Sequence, residues 1–205
     1  MPIFFQQQIN ESTRLGIWKI EETEEFFKGN VPQHRDVTHP HKRLQHLAGR
    51  FLLQFLFPAF PYDLVEIADT RKPFLPGEQY HFSISHCGDF AAAIVSKQSR
   101  VGVDIEIPSE KIERVKDKFL SGEERNDLIS ASRFNDRSQL TMLWSCKEAV
   151  FKWHGDGGVD FSEDILLQLS RAGSDSMPCF FKKSNTNLTI CYHVFDQLVL
   201  AWTTS

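Results

Sequence analysis

Val101-Gly102-Val103-Asp104-Ile105-Glu106 alternates, and that alternation frames the reading of the whole chain. In an extended strand successive side chains point to opposite faces. Val101, Val103, Ile105 and Ile107 therefore share one face, and Gly102, Asp104 and Glu106 the other. A β-branched row held against a core sets this register. Asp104 and Glu106 then project together, about 7 Å apart along the strand. A bare Asp-x-Glu pair is also the ordinary solvent face of an amphipathic strand, so the motif decides nothing without a second partner.

That partner lies in Trp144-Ser145-Cys146-Lys147-Glu148-Ala149-Val150-Phe151-Lys152. At 3.6 residues per turn, Met142, Leu143, Cys146, Ala149, Val150 and Trp153 fill one broad apolar face. Glu148 and Lys152 sit opposite, flanked by Trp144 and Ser145. A Glu→Lys pair at i,i+4 is common on surfaces. A helix apolar around most of its circumference, however, lies between other elements, and a charged pair there needs partners. Asp104, Glu106 and Glu148 meeting at one Mg²⁺ would supply them, leaving Lys152 to face a phosphate oxygen or a leaving group. Three hard oxygen ligands beside cationic side chains are what a magnesium-assisted reaction on a phosphate ester requires.

Outward from these stretches, the chain reads as α+β. Residues 1–40 begin strand-like and turn irregular, with an acidic helix expected over Glu21–Lys28. Leu44, Leu47, Ala48, Phe51, Leu52 and Phe55 recur at helical spacing over 41–57, and Pro58 stops the run. A short strand is expected at 64–68. Strands at 80–85 and 90–96 flank the turn His86-Cys87-Gly88-Asp89. In the second half a helix over 139–153, a short element near 165–169 and a hairpin of 188–194 with 198–203 repeat the same order. The expectation is two similar α/β lobes, 1–108 and 109–205, forming one functional unit with its site between them. The charged, partly helical span 109–137 would join them.

Bulk properties narrow the function classes. The 205 residues can bury a full core. A net charge of −4 with acids and bases mixed leaves no basic tract for nucleic acid. Cys87, Cys146, Cys179 and Cys191 show no paired spacing, which fits reduced thiols in the cytoplasm. Ile3-Phe4-Phe5 is too short for a membrane span or signal peptide. The 18 phenylalanines read as core.

Several groups suit phosphate. Ser83-Ile84-Ser85-His86 ends a strand, so Ser85, His86 and turn N–H groups can hold an anion, although a turn histidine bonded to nearby backbone fits as well. Lys72 precedes Pro73-Phe74. Arg43 and Arg50, seven apart, share a face of the first long helix. Gly155-Asp156-Gly157-Gly158 reads better as a helix-ending turn than as a phosphate cradle, because Asp156 opposes anions.

Taken in order, Lys72-Pro73-Phe74, Ser83-Ile84-Ser85-His86, Val101–Glu106, Phe119-Leu120-Ser121-x-x-Glu124, Trp144–Lys152 and Gly155-x-Gly157 resemble the 4'-phosphopantetheinyl transferases, over about residues 40–165. Within that family they look like the larger, pseudodimeric, surfactin-synthetase-activating branch with its pseudo-twofold fold. The resemblance implies transfer of 4'-phosphopantetheine from coenzyme A to a serine of an apo acyl or peptidyl carrier protein, with release of 3',5'-ADP, by a cytoplasmic monomer. It implies Mg²⁺ on Asp104, Glu106 and Glu148. Ser85 and His86 would hold the 3'-phosphate, with Lys72 and either Arg43 or Arg50 nearby. Lys152 would contact the pyrophosphate, with Lys147 also on the cofactor side. Glu148 or Glu124 would take the serine proton. Two other readings stand beside it: another Mg-dependent nucleotide-using transferase or hydrolase, and a coenzyme A-binding carrier-docking module without catalysis.

Overall fold

The computed structural model describes residues 3–31, 37–70, 72–130 and 136–205. Residues 32–36 of the expected irregular region and 131–135 of the expected linker span lie outside these. By contacts the chain divides into Met1–Val101 and Gly102–Ser205, a few residues before the expected 108/109 boundary. The reason is that the strand at Val101–Glu106 joins the second sheet.

The first unit holds β1 (Ile3–Asn10), β2 (Thr13–Lys19), α1 (Glu24–Lys28), α2 (Pro40–Leu56), the two-residue strands β3 (Glu66–Ile67) and β4 (Pro73–Phe74), β5 (His81–Cys87) and β6 (Phe90–Ser96). Its main sheet runs β1-β2-β6-β5, antiparallel throughout. α2 starts with Pro40 in its first turn, where a missing N–H costs nothing, and Pro58 keeps it from continuing past Phe57. Its Leu47, Ala48, Leu52, Leu53 and Leu56 are buried in a core with Trp18, Phe82, Ala91, Ala93 and Val95. Helix and sheet approach closely at Gly49, where a Cβ would come within 2.6 Å of Ile84 Cγ2.

The second unit holds β7 (Val101–Glu106), α3 (Lys111–Phe119), α4 (Gly122–Ser130), α5 (Arg137–His154), β8 (Ile165–Leu167), β9 (Ser176–Phe181), β10 (Thr186–Val194) and β11 (Val199–Thr204). Its sheet order is β7-β11-β10-β9-β8. α5 is capped at both ends by chemistry readable in the sequence. Asp136 Oδ1 accepts from Gln139 N at 2.8 Å, and Gly155, at φ 83°, closes the other end in the left-handed conformation. The face of Met142, Leu143, Cys146, Ala149, Val150 and Trp153 is buried, as the wheel predicts, and packs into one core with Ile165, Met177, Phe181, Ile190 and Ala201. The expectation of an α+β chain with two sheet-containing lobes holds.

β1 falls where the chain begins strand-like, whereas β2, the two-residue β4 and β9 escape the sequence reading. The expected turn His86–Asp89 is also shorter, since β5 runs through His86 and Cys87 before turning at Gly88-Asp89. No helix among the described residues is long and apolar enough to cross a membrane.

Candidate functional site

The site in the second unit begins at Gly102. A Cβ there would collide with the carbonyl oxygen of Ala149 and lie 2.6 Å from Trp153 N. The glycine thus lets α5 lie directly on β7. Both faces of β7 are covered: Val101 to Ile105 are all buried, Asp104 to 3% exposure. The alternative of a solvent-facing polar row does not hold for Gly102 and Asp104, because α5 occupies that side.

The close approach puts α5's polar residues over the carboxylates. Lys152 Nζ donates to Asp104 Oδ1 at 2.7 Å. Lys152 was expected to face a phosphate; here it neutralises Asp104. Glu148, one turn earlier, is raised from 4.5 to about 7, first by burial, then by the charge of Asp104, with Glu106 adding to the rise and Lys152 opposing it. The three carboxylates thus share one electrostatic neighbourhood. Among the described residues no three His, Cys, Asp or Glu side chains form a ready-made ion cage. Magnesium commonly takes only one or two carboxylates, completing its shell with phosphate oxygens and water. An all-oxygen set under mutual repulsion fits such an ion.

The shift carries a stability consequence. Folded Glu148 binds its proton more tightly than the unfolded chain does, so its contribution is complete below pH 4.5 and is lost as pH rises to about 7. Urea melts in chelator should show stability falling by about 2 kcal/mol across that window, at about 1.4 kcal/mol per pKa unit less some solvent screening. Glu148→Gln should flatten the fall.

Beside Glu148 and Glu106 opens a cavity of about 830 Å³. α3 contributes Ile112, Val115 and Phe119 to its lining, α5 contributes Trp144 and Phe151, and the 158–161 segment contributes Phe161. Trp144 packs edge-on against Phe119, ring centroids 5.2 Å apart, and also meets Phe161 at 5.4 Å. Lys111 and Lys118 also line it. The sequence reading missed these two lysines and Phe161; the amphipathic spacing of Ile112, Val115 and Phe119 was the available signal.

Two expected site residues of this unit are structural. Lys147 is fully buried, and its three ammonium protons go to Glu124 Oε2 at 2.7 Å, Phe161 O at 2.8 Å and Ile165 O at 2.7 Å. It has no donor left for a cofactor. Glu124, 2% exposed, accepts from Ser121 N and Leu167 N as well, each at 2.7 Å. Both its oxygens serve inward donors, so it is corrected from candidate proton acceptor to scaffold. No thiol offers an alternative nucleophile in this core: burial pushes Cys146 up and Cys179 to about 12.

In the first unit, Arg43 is spent on structure too. Its Nε and Nη2 grip Glu24 at 2.7 and 2.8 Å, and Nη1 donates to Val37 O at 2.7 Å, tying α1 to α2. Held so, it loses ground as the phosphate arginine. Arg50 is 4% exposed, with Nη1 buried and unbonded, and burial lowers its pKa. A guanidinium in that condition is what an anion would satisfy. Ser85 is buried and His86 exposed, on opposite faces of β5. Lys72 is half-buried before β4.

Comparison with known proteins points to a family. Residues 100–203, just over half of the chain, match the family described as the 4'-phosphopantetheinyl transferase superfamily. The chain belongs to that superfamily. It is 31% identical over 143 residues to enterobactin synthase component D of Salmonella austin, covering 68% of this chain and 61% of that protein. It is 35% identical over 98 residues to 4'-phosphopantetheinyl transferase psf-1 of Bacillus pumilus, covering 48% and 42%. Against 4'-phosphopantetheinyl transferase AcpT of Salmonella typhi it is 28% identical over 143 residues, 66% of this chain and 74% of the relative. The chain thus spans 61% of the first of these relatives, and its superfamily match centres on the unit that carries Asp104, Glu106, Glu148 and Lys152.

Proposed function

We propose that this superfamily member transfers 4'-phosphopantetheine from coenzyme A to a serine of an apo acyl or peptidyl carrier protein. The observation that carries the reading is Glu148 raised to about 7 by burial and by Asp104 and Glu106, beside a roomy, largely apolar cavity. The order of motifs supports the larger, pseudodimeric type, acting as a monomeric cytoplasmic enzyme.

Asp104, Glu106 and Glu148 would hold Mg²⁺. When bound, the ion neutralises the pyrophosphate oxygens and the charge that develops during displacement. The chain's own residues do the rest. Glu148 takes the hydroxyl proton of the carrier serine, directly or through water. The serine oxygen attacks the β-phosphorus and the bond to the 3',5'-ADP oxygen breaks. Lys152 offsets charge on that leaving group, exchanging its bond with Asp104 for one to phosphate. Arg50 and Lys72 would bind the remote 3'-phosphate and orient the substrate, joined by Ser85 or His86, which point to opposite faces of β5. The cavity between α3, α5 and 158–161 receives the apolar part of the pantetheine arm or of the carrier, and Trp144 shapes its floor.

Incubation with coenzyme A, Mg²⁺ and several apo carrier proteins, followed by intact-mass analysis, tests the reading. A pantetheinyl adduct on the carrier serine is expected. A folded chain that modifies none of the carriers, yet hydrolyses coenzyme A without them, would favour a hydrolase. At pH 7 and above, Mg²⁺ should also recover the stability lost between pH 4.5 and about 7 in chelator, since a cation competes with the proton at Glu148.

A further inference from the structure

Glu124 and Lys147 are nine-tenths or more buried, oppositely charged and far apart in sequence, and no step of the proposed reaction uses them. Their bonds show what they hold. Glu124 follows Ser121 by three residues and closes a capping box: Ser121 Oγ accepts from Glu124 N at 3.2 Å while Glu124 Oε2 accepts from Ser121 N. That anchors the carboxylate to the start of α4. Oε1 then takes Leu167 N of β8, and Oε2 takes Lys147 of α5. Lys147 passes the connection on to the carbonyls of Phe161 and Ile165. The segment between these carbonyls also has internal bonds, such as Ser162 N to Asp160 Oδ1 at 2.8 Å, and one to the sheet side, Lys182 N to Asp164 O at 2.9 Å. Gly158, Val159, Asp160 and Phe161 of this region form one wall of the cavity.

Lys147 and Glu148 are neighbours on α5. One faces inward and clamps the wall; the other lines the cavity. The wall's place relative to Glu148 is set by the packing of Phe161 on Trp144 and Phe151 and, in hydrogen bonds to α5, by Lys147.

We propose that the Glu124–Lys147 pair is a positioning device that fixes the 158–165 wall against α5 and thereby sets how substrate lies beside Glu148. Its effect on transfer rests on the functional reading above; its effect on the wall does not. Removing either partner leaves the other as an uncompensated buried charge, so the wall loosens even where the chain still folds.

The test combines amide hydrogen exchange with kinetics on the full chain, wild type, Glu124→Gln and Lys147→Met. Wild-type amides at 160–167 should exchange slowly, and both variants should speed them by roughly tenfold or more, the signature of local opening. In transfer assays the loss should fall mainly on KM, with the pH dependence of kcat/KM unchanged because its acid limb belongs to Glu148. Fast wild-type exchange at 160–167, or unchanged exchange in folded variants, overturns the clamp. A fall of roughly a hundredfold or more in kcat for Glu124→Gln, at constant KM and with the acid limb gone, makes Glu124 the proton acceptor and overturns the positioning role. Wild-type chain that transfers nothing overturns the functional reading instead, while the exchange data still decide the clamp.

Discussion

Glu148→Gln is expected to lower transfer by roughly a hundred- to ten-thousand-fold, the range typical for loss of a general base, while the chain stays folded. The amide matches the carboxylate in shape, so packing on α5 is kept. What disappears is a group whose charge is opposed by burial, Asp104 and Glu106, and which titrates at about 7. Stability at pH 8 should rise, because the variant no longer keeps an unfavourable carboxylate beside two others. Opposite signs for activity and stability mark a residue retained for chemistry rather than for the fold. Stopped transfer with stability also lost would instead mean that Glu148 supports the helix.

Gly102→Ala is the second large effect, and it comes from the backbone. The added methyl would collide with Ala149 O and crowd Trp153 N, neither the end of a flexible side chain. α5 must lift off β7, at a cost of about 3 kcal/mol, the upper end of ordinary overpacking. Lifting α5 separates Lys152 from Asp104, whose bond is 2.7 Å long. Thermal unfolding should show a large fall in Tm, with transfer lost even below the new melting temperature. A variant as stable as the wild type would contradict the close helix–strand contact.

How much of this was legible in the sequence varies from one element to the next. The register of β7 and the buried face of α5 follow from periods of 2 and 3.6 alone, and both hold in the structure. The glycine's meaning did not follow, because nothing local in Val101–Glu106 says that a helix lies across its second face. Glu124 was readable as a capping-box residue from Ser121-x-x-Glu124, yet its tie to Lys147 depends on a fold that brings α4 under α5. Lys147 hid behind the rule that lysines are seldom buried. β2 escaped because it is buried almost throughout, from Leu15 to Trp18, and so lacks the alternation that marks a half-buried strand. β9 escaped because Pro178 argues against a strand interior. The proline sits just past Leu167↔Cys179, the last pairing with β8, so that ladder needs no donor from it.

The most direct measurement of the central claim is calorimetric titration of Mg²⁺, with coenzyme A present, into wild type, Asp104→Asn and Glu148→Gln. The account predicts one cation site in the wild type, weakened by roughly tenfold or more in each variant, at least the loss seen when groups merely supporting a metal ligand are removed. Equal Mg²⁺ affinity in all three proteins would contradict it.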